Sequence, residues 1–357
     1  MSFLKYIPTV FVVNDEYEIL IVTNELGKCA IKIGSTTYYD ESAGILNCTD
    51  IIHKIRFPQS VLDDAGKYTV IYNKEIKKKA YFSKFGEDEY EDFEFSPVKG
   101  ESANAYFLAD VHKRFEQALE CAAHYNDKTD FYIVNGDIGE VETDEDYYKV
   151  IDFLGNLAKG QKPVIFSRGN HDTRGRAAER FTHFYISDNG NTYFKFSVGN
   201  MISGVVLDCG EDKVDENNEY GGTNIFSSYR LRETEFLRSV SLDKEKINFA
   251  VSHICHAMTT YKKGDIFDIE RDVYSEWEKE LERIGVKFML CGHLHRSFVL
   301  DKDNELNTIP HKYPVVFASH LDKDDLWQAF ITIKKDMLTV TMNDRNGEEK
   351  EKYTVEI

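Results

Sequence analysis

The sequence predicts an α/β chain in two regions: a small all-β region over residues 1–97, then a larger domain over 98–357 that mixes strands with helices. Three observations carry this. Short apolar and aromatic runs with no helical period fill the first part. From residue 103, short apolar runs alternate with amphipathic segments. Five of the later runs deliver Asp, Asn or His within a few residues of their carboxyl ends. A length of 357 residues leaves room for two domains. With 42% apolar residues, 30% charged residues and only 6 Pro, the chain is composed like a folded globular protein and not a disordered one. Aromatics at 13%, mostly Phe and Tyr, favour strands.

In the first region the candidate strands are 10–13, 18–23, 29–33, 54–57, 68–72 and 80–82, with turn-prone segments such as 24–27 between them. Several short strands at this spacing indicate a β-sandwich. The run 64–68, D-A-G-K-Y, has the D-x-G-x-Y form that carries the tyrosine corner of immunoglobulin-like domains; the alternative is an ordinary turn before a strand. The acidic, aromatic stretch 86–94 reads as a solvated exit from the region, with the boundary near 96–100.

In the second region the runs 105–109, 131–134, 164–167, 202–207, 247–252 and 288–291 read as buried strands. Phe115, Leu119 and Ala122 share one helical face. Val150, Ile151, Leu154 and Leu157 share another, and Val273, Trp277, Leu281 and Ile284 a third. Residues 314–357 return to strands, with a turn at Asn346-Gly347.

A net charge of −18 argues against broad binding to nucleic acid or to an anionic membrane, because nothing basic offsets phosphate repulsion. A small phosphorylated substrate stays open, since bound metal ions would invert the sign locally. Cys29, Cys48, Cys121, Cys209, Cys255 and Cys291 are dispersed with no C-x-x-C pair, which suits reduced, buried thiols in a cytoplasmic protein. The first twenty residues lack a long apolar core with a cleavage site, so no secretory signal is expected. No apolar run approaches the roughly 18 residues that span a bilayer. Oligomeric state is not legible.

The chemistry lies at the strand ends. The run 106–109 leads into Asp110 and His112, and 131–134 into Asp137. The run 163–166 leads into Arg168, Asn170, His171 and Asp172; 247–251 into His253; and 288–291 into His293 and His295. Ligand sites of open α/β sheets lie there, because the loops after the strands converge on one crevice. His and carboxylate donors suit borderline ions such as Mn, Fe, Zn or Ni, and the lack of thiolate pairs disfavours a structural zinc site. Seven candidate ligands exceed what one ion with an open position takes. Two ions sharing one carboxylate, roughly 3.5–4 Å apart, would use them.

In chain order the pieces read D-x-H, G-D, G-N-H-D, H and G-H-x-H. This set, from Asp110 to His295, resembles the signature of the calcineurin-like metallophosphoesterase superfamily. The β-rich region ahead of it resembles the layout of purple acid phosphatases. The resemblance implies two packed β-sheets flanked by helices, preceded by an immunoglobulin- or fibronectin-like β-sandwich. It implies a hydrolase that cleaves phosphate esters with hydroxide activated at a dinuclear centre. Asp110, His112 and His295 would bind the first ion and Asn170, His253 and His293 the second, with Asp137 bridging both. His171 would be the general acid or oxyanion stabiliser, with Asp172 orienting it. Arg168, Asn170 and His256 are the candidate substrate-binding residues. For Arg168 a structural salt bridge to a nearby carboxylate is the competing reading; for His256, an ordinary buried or polar role. Purple acid phosphatases carry a tyrosine ligand three residues after the G-D aspartate, where this chain has Glu140, and D-x-G in place of D-x-H; a colourless centre is therefore expected.

Phosphomonoesterase is the leading expectation. Phosphodiesterase, of cyclic-nucleotide or nuclease type, is the alternative within the same chemistry, and a nuclease is disfavoured by charge. A catalytically degenerate metal-binding interaction protein is the alternative from another class, and the complete ligand set argues against it. The run 208–212, Arg174, Arg176 and the pair Tyr229-Arg230 could rim the crevice and set selectivity, although a solvated loop is the simpler expectation for 208–212.

Overall fold

Every residue of the run Thr9–Val13 is buried, and a continuous apolar run of this kind belongs to a strand covered on both faces. In the computed structural model, which describes residues 2–41, 49–260 and 262–357, that is where it lies. Val10 and Phe11 pair in parallel with Pro163 and Val164. Pro163–Ser167 pairs in parallel with Phe131–Asn135, and this with Ser102–Leu108. On the far side Leu326–Lys334, Met337–Asn343 and Glu349–Glu356 continue the sheet in antiparallel fashion. On the near side Thr9–Val13 pairs with the long strand Glu16–Ile33, which carries Asp50–Pro58 and Lys67–Lys77. The β-rich region at the N-terminus is present as expected. Its strands are hydrogen-bonded without a break into the central sheet, so a division at residue 97 would cut through that sheet.

The second sheet runs Phe194–Val198, Ile202–Leu207, Ile247–Ser252, Val286–Cys291, Val315–Ala318 and Ser297–Leu300 in spatial order. Because strand side chains alternate between faces, Val206, Val251 and Leu290 join the core shared with the first sheet. Their neighbours Val205, Ala250 and Met289 face outward onto Leu237, Trp277 and Leu281. Those three come from the helices Phe226–Ser239 and Arg271–Ile284. The fold is therefore two packed sheets flanked by helices. The helix Asp144–Ala158 starts where the Asp146 carboxylate accepts from the Thr143 amide at 3.0 Å, and three acidic residues complement its positive end.

Three local expectations are corrected. The run 64–68 is the end of the helix Gln59–Ala65, closed by Gly66 at φ 65°, followed by a strand. The Tyr68 hydroxyl donates to the Gly160 carbonyl at 3.0 Å and not to a carbonyl just upstream, so no tyrosine corner forms. The acidic stretch is not merely an exit linker, since Glu89–Glu94 pairs with Lys67–Lys77 as a strand. Residues 80–82 form no strand; they lie in a hairpin tip between Lys67–Lys77 and Lys84–Phe85. The five described cysteines are free and buried, while Cys48 falls outside the described residues.

Candidate metal centre

The parallel strands of both sheets end on one side, and the residues just past those ends meet. Local backbone makes the turns tight. Asp110, His112, Asp137, His293 and His295 all have positive φ, between 44° and 70°. Such conformations cost roughly 1–3 kcal/mol for residues other than glycine and persist where the surroundings enforce them, typically at functional sites. The glycines of the motifs are required by close approach. A Cβ on Gly169 would lie 2.2 Å from Asp137 Oδ1, and one on Gly136 would lie 2.5 Å from Gly169 Cα. Gly169→Ala should therefore displace the Asp137 turn, backbone and carboxylate together, weakening metal binding about 10–100-fold, read by metal titration, and lowering the melting temperature.

Asp137 is the hub. Its Oδ2 lies 3.1 Å from His253 Nε2, 3.8 Å from His112 Nε2 and 3.9 Å from His171 Nε2. Its Oδ1 accepts from the His171 amide at 2.8 Å. Asp110 Oδ1 lies 3.4 Å from His295 Nε2 and 3.7 Å from His253 Nε2. His112 Nε2 and His295 Nε2 are 3.3 Å apart, and His293 Nδ1 is 3.1 Å from Asn170 Oδ1. All seven expected ligands are thus brought together. Three sets present their donor atoms within 4.8 Å of one another: Asp110, His112 and His295; His112, Asp137 and His171; Asp110, Asp137 and His253.

These donors fit metal ions. His253 Nδ1 lies 2.7 Å from the Asn135 carbonyl, which can only accept, so Nδ1 carries a proton and Nε2 is the nitrogen turned toward the two aspartates. That buried Nε2 has no hydrogen-bond partner. Burial alone would raise the Asp137 carboxyl, but the charges of His253, His171 and His112 outweigh it and hold it below the ordinary carboxylate range. Burial disfavours a charged His253, yet Asp137 and Asp110 push its pKa up to about 10. A metal ligand histidine is neutral, so binding of an ion at Nε2 would require His253 without a proton on that nitrogen.

Other expected residues take different places. Asp172 does not orient the His171 ring. Its Oδ2 accepts from the Gly169 amide at 2.8 Å and the Asp137 amide at 3.1 Å, which fixes the two turns against each other. Burial, then the nearby Asp137 charge, pushes Asp172 up to about 7. Arg168 is mostly buried, with Nη2 2.7 Å from Asp208 Oδ2 and the rings of Phe181, Phe226 and Tyr229 around it. It is the structural salt bridge of the competing reading. His256 is fully buried with Nε2 2.7 Å from Glu278 Oε1, so it presents nothing to a substrate. The run 208–212 is no solvated loop, because Asp208, Glu211 and Asp212 are buried. Glu211 grips Arg174 from both oxygens, at 2.6 Å to Nε and 2.7 Å to Nη2, and Arg174 Nη1 stands 3.4 Å from His171 Nε2.

Two supports escaped sequence reasoning. The Ser319 hydroxyl donates to Asp110 Oδ2. Gln328 clasps Ala109, accepting from its amide at 2.9 Å and donating to its carbonyl at 3.0 Å. The strand-end pattern would have found Ser319, which follows the buried strand Val315–Ala318 directly. Gln328 leaves no such signal.

Candidate ligands at strand ends in this order on two packed sheets are the arrangement of the metallophosphoesterase fold. The sequence profile described as calcineurin-like phosphoesterase matches residues 104–297, and the chain belongs to that family. A mouse (Mus musculus) protein named serine/threonine-protein phosphatase CPPED1 is 21% identical over 201 residues, 51% of this chain and 58% of that one. The chain thus spans little more than half of that relative. A purple acid phosphatase, PPD1, from yellow lupin (Lupinus luteus) seeds superposes with a TM-score of 0.63 at 12% identity, over 98% of this chain and 74% of that one. PhoD superposes with a TM-score of 0.54 at 10% identity, over 99% of this chain and 94% of that one. These two share the fold along nearly the whole chain, the β-rich N-terminal region included. Among the described residues, no helix is long and apolar enough to cross a membrane.

Proposed function

We propose that the chain hydrolyses phosphomonoesters at a dinuclear centre. Asp110, His112 and His295 would hold one ion and Asn170, His253 and His293 the other, with Asp137 shared. The ions, of the Mn, Fe, Zn or Ni type, would supply Lewis acidity and lower the pKa of water. His171, its side chain 46% exposed, would protonate a leaving oxygen. The observation that carries the monoester reading is Arg174. Two of its donors are fixed on buried Glu211, which aims the half-exposed guanidinium at His171. A monoester brings one more ionisable oxygen than a diester, and an oriented arginine favours it.

A panel of monoesters and diesters, assayed after reconstitution with each metal, tests this. Monoesters should be preferred; faster turnover of diesters would sink the reading. Arg174→Gln should raise KM for monoesters about 10–100-fold, the worth of lost charge-assisted hydrogen bonds, with metal content unchanged. His171→Ala should retain metals and slow alkyl phosphates by about 10²–10⁴-fold, and activated aryl esters much less. An equal loss on both would point to phosphate stabilisation instead of proton donation.

A further inference from the structure

A hairpin joins Lys67–Lys77 to Lys84–Phe85. Glu75 pairs with Phe85 and Lys77 with Lys84, so residues 78–83 form its tip. Two aromatic side chains stand there in solvent, Tyr81 95% exposed and Phe82 72% exposed. Lys77, Lys78, Lys79 and Lys84 are exposed around them. Lys74, at the hairpin's base, pairs with Glu25, whereas these four lysines enter no ion pair among the described residues. An unneutralised basic cluster with bare aromatics is unexpected on a chain of net charge −18.

We propose that this tip docks the protein on an anionic membrane surface, with Tyr81 and Phe82 entering the headgroup region and the lysines meeting lipid phosphates and carboxylates. Exposed aromatic rings flanked by lysines match the interfacial zone of a bilayer, where the rings bury and the ammonium groups stay wet. Charge complementarity selects anionic lipid. A folded acidic protein is the weaker candidate, because a stable protein–protein contact needs roughly 800 Å² from each partner and a six-residue tip offers far less. The remaining charge fixes the approach. Glu87, Asp88 and Glu89 lie at the hairpin's base, so a flat approach is repelled. At physiological salt charges more than about 8 Å away are largely screened, so acidic residues remote from the tip weigh little in a tip-first approach.

Co-sedimentation of the full chain with phosphatidylcholine vesicles, with and without phosphatidylserine, tests the proposal. Binding is expected only with phosphatidylserine and should fall with added salt. Tyr81→Ser with Phe82→Ser should reduce partitioning by at least about tenfold. Lys78→Gln with Lys79→Gln should reduce it by about fivefold per lysine. Melting temperature and metal content should be unchanged in both variants, since these side chains pack against nothing buried. The proposal is overturned if the wild-type chain ignores phosphatidylserine vesicles, as it would if the hairpin served an acidic protein. It is equally overturned by equal binding to both vesicle types, or by variants that bind like wild type.

Discussion

Asp137→Asn is expected to leave the protein folded but to lose at least one metal ion and nearly all activity. Asp137 is 1% exposed and within 3.9 Å of three imidazole nitrogens. Asparagine keeps its shape, and its carbonyl can still accept from the His171 amide, so the change isolates the charge. Loss of an anion shared by two ions should reduce kcat/KM by about 10³-fold or more, roughly 4 kcal/mol of transition-state stabilisation. Full metal occupancy with near-native turnover would defeat the bridging assignment.

Removing residues 1–97 should abolish folding of the remainder. A chain starting at 98 loses Thr9–Val13 and exposes the edge of Pro163–Ser167 next to the turns of the candidate metal centre. Val10, Phe11, Val12 and Val13 are fully buried. Burial of four such side chains contributes roughly 6–12 kcal/mol, comparable to the whole stability of a typical domain at about 5–15 kcal/mol. The exposed parallel edge also invites aggregation. Soluble yield and a urea melt of 98–357 read the outcome; a soluble, cooperatively unfolding fragment that binds metal would show that the first region is separable after all.

The candidate metal ligands could be picked out because each lies within a few residues of the end of a buried strand, and strand ends converge whatever the connecting loops do. The place of Thr9–Val13 was harder, since its partner Pro163–Ser167 is distant in sequence. Yet a signal was present. A run buried at every position belongs in a doubly covered sheet, while a sandwich strand with one wet face alternates. The side chains that only brace the site stayed hidden for a different reason. Nothing local tells Arg168 that its carboxylate is Asp208, or Asp172 that it caps amides and not an imidazole, because those choices are made by loops meeting in space.

The central claim is that these side chains hold two ions in one shared site. Metal analysis of the protein after saturation with Mn and removal of free ion tests it most directly, with the same measurement on Asp137→Asn. Two ions per wild-type chain and at most one in the variant are expected. One ion in both proteins, or two in both, would contradict the claim.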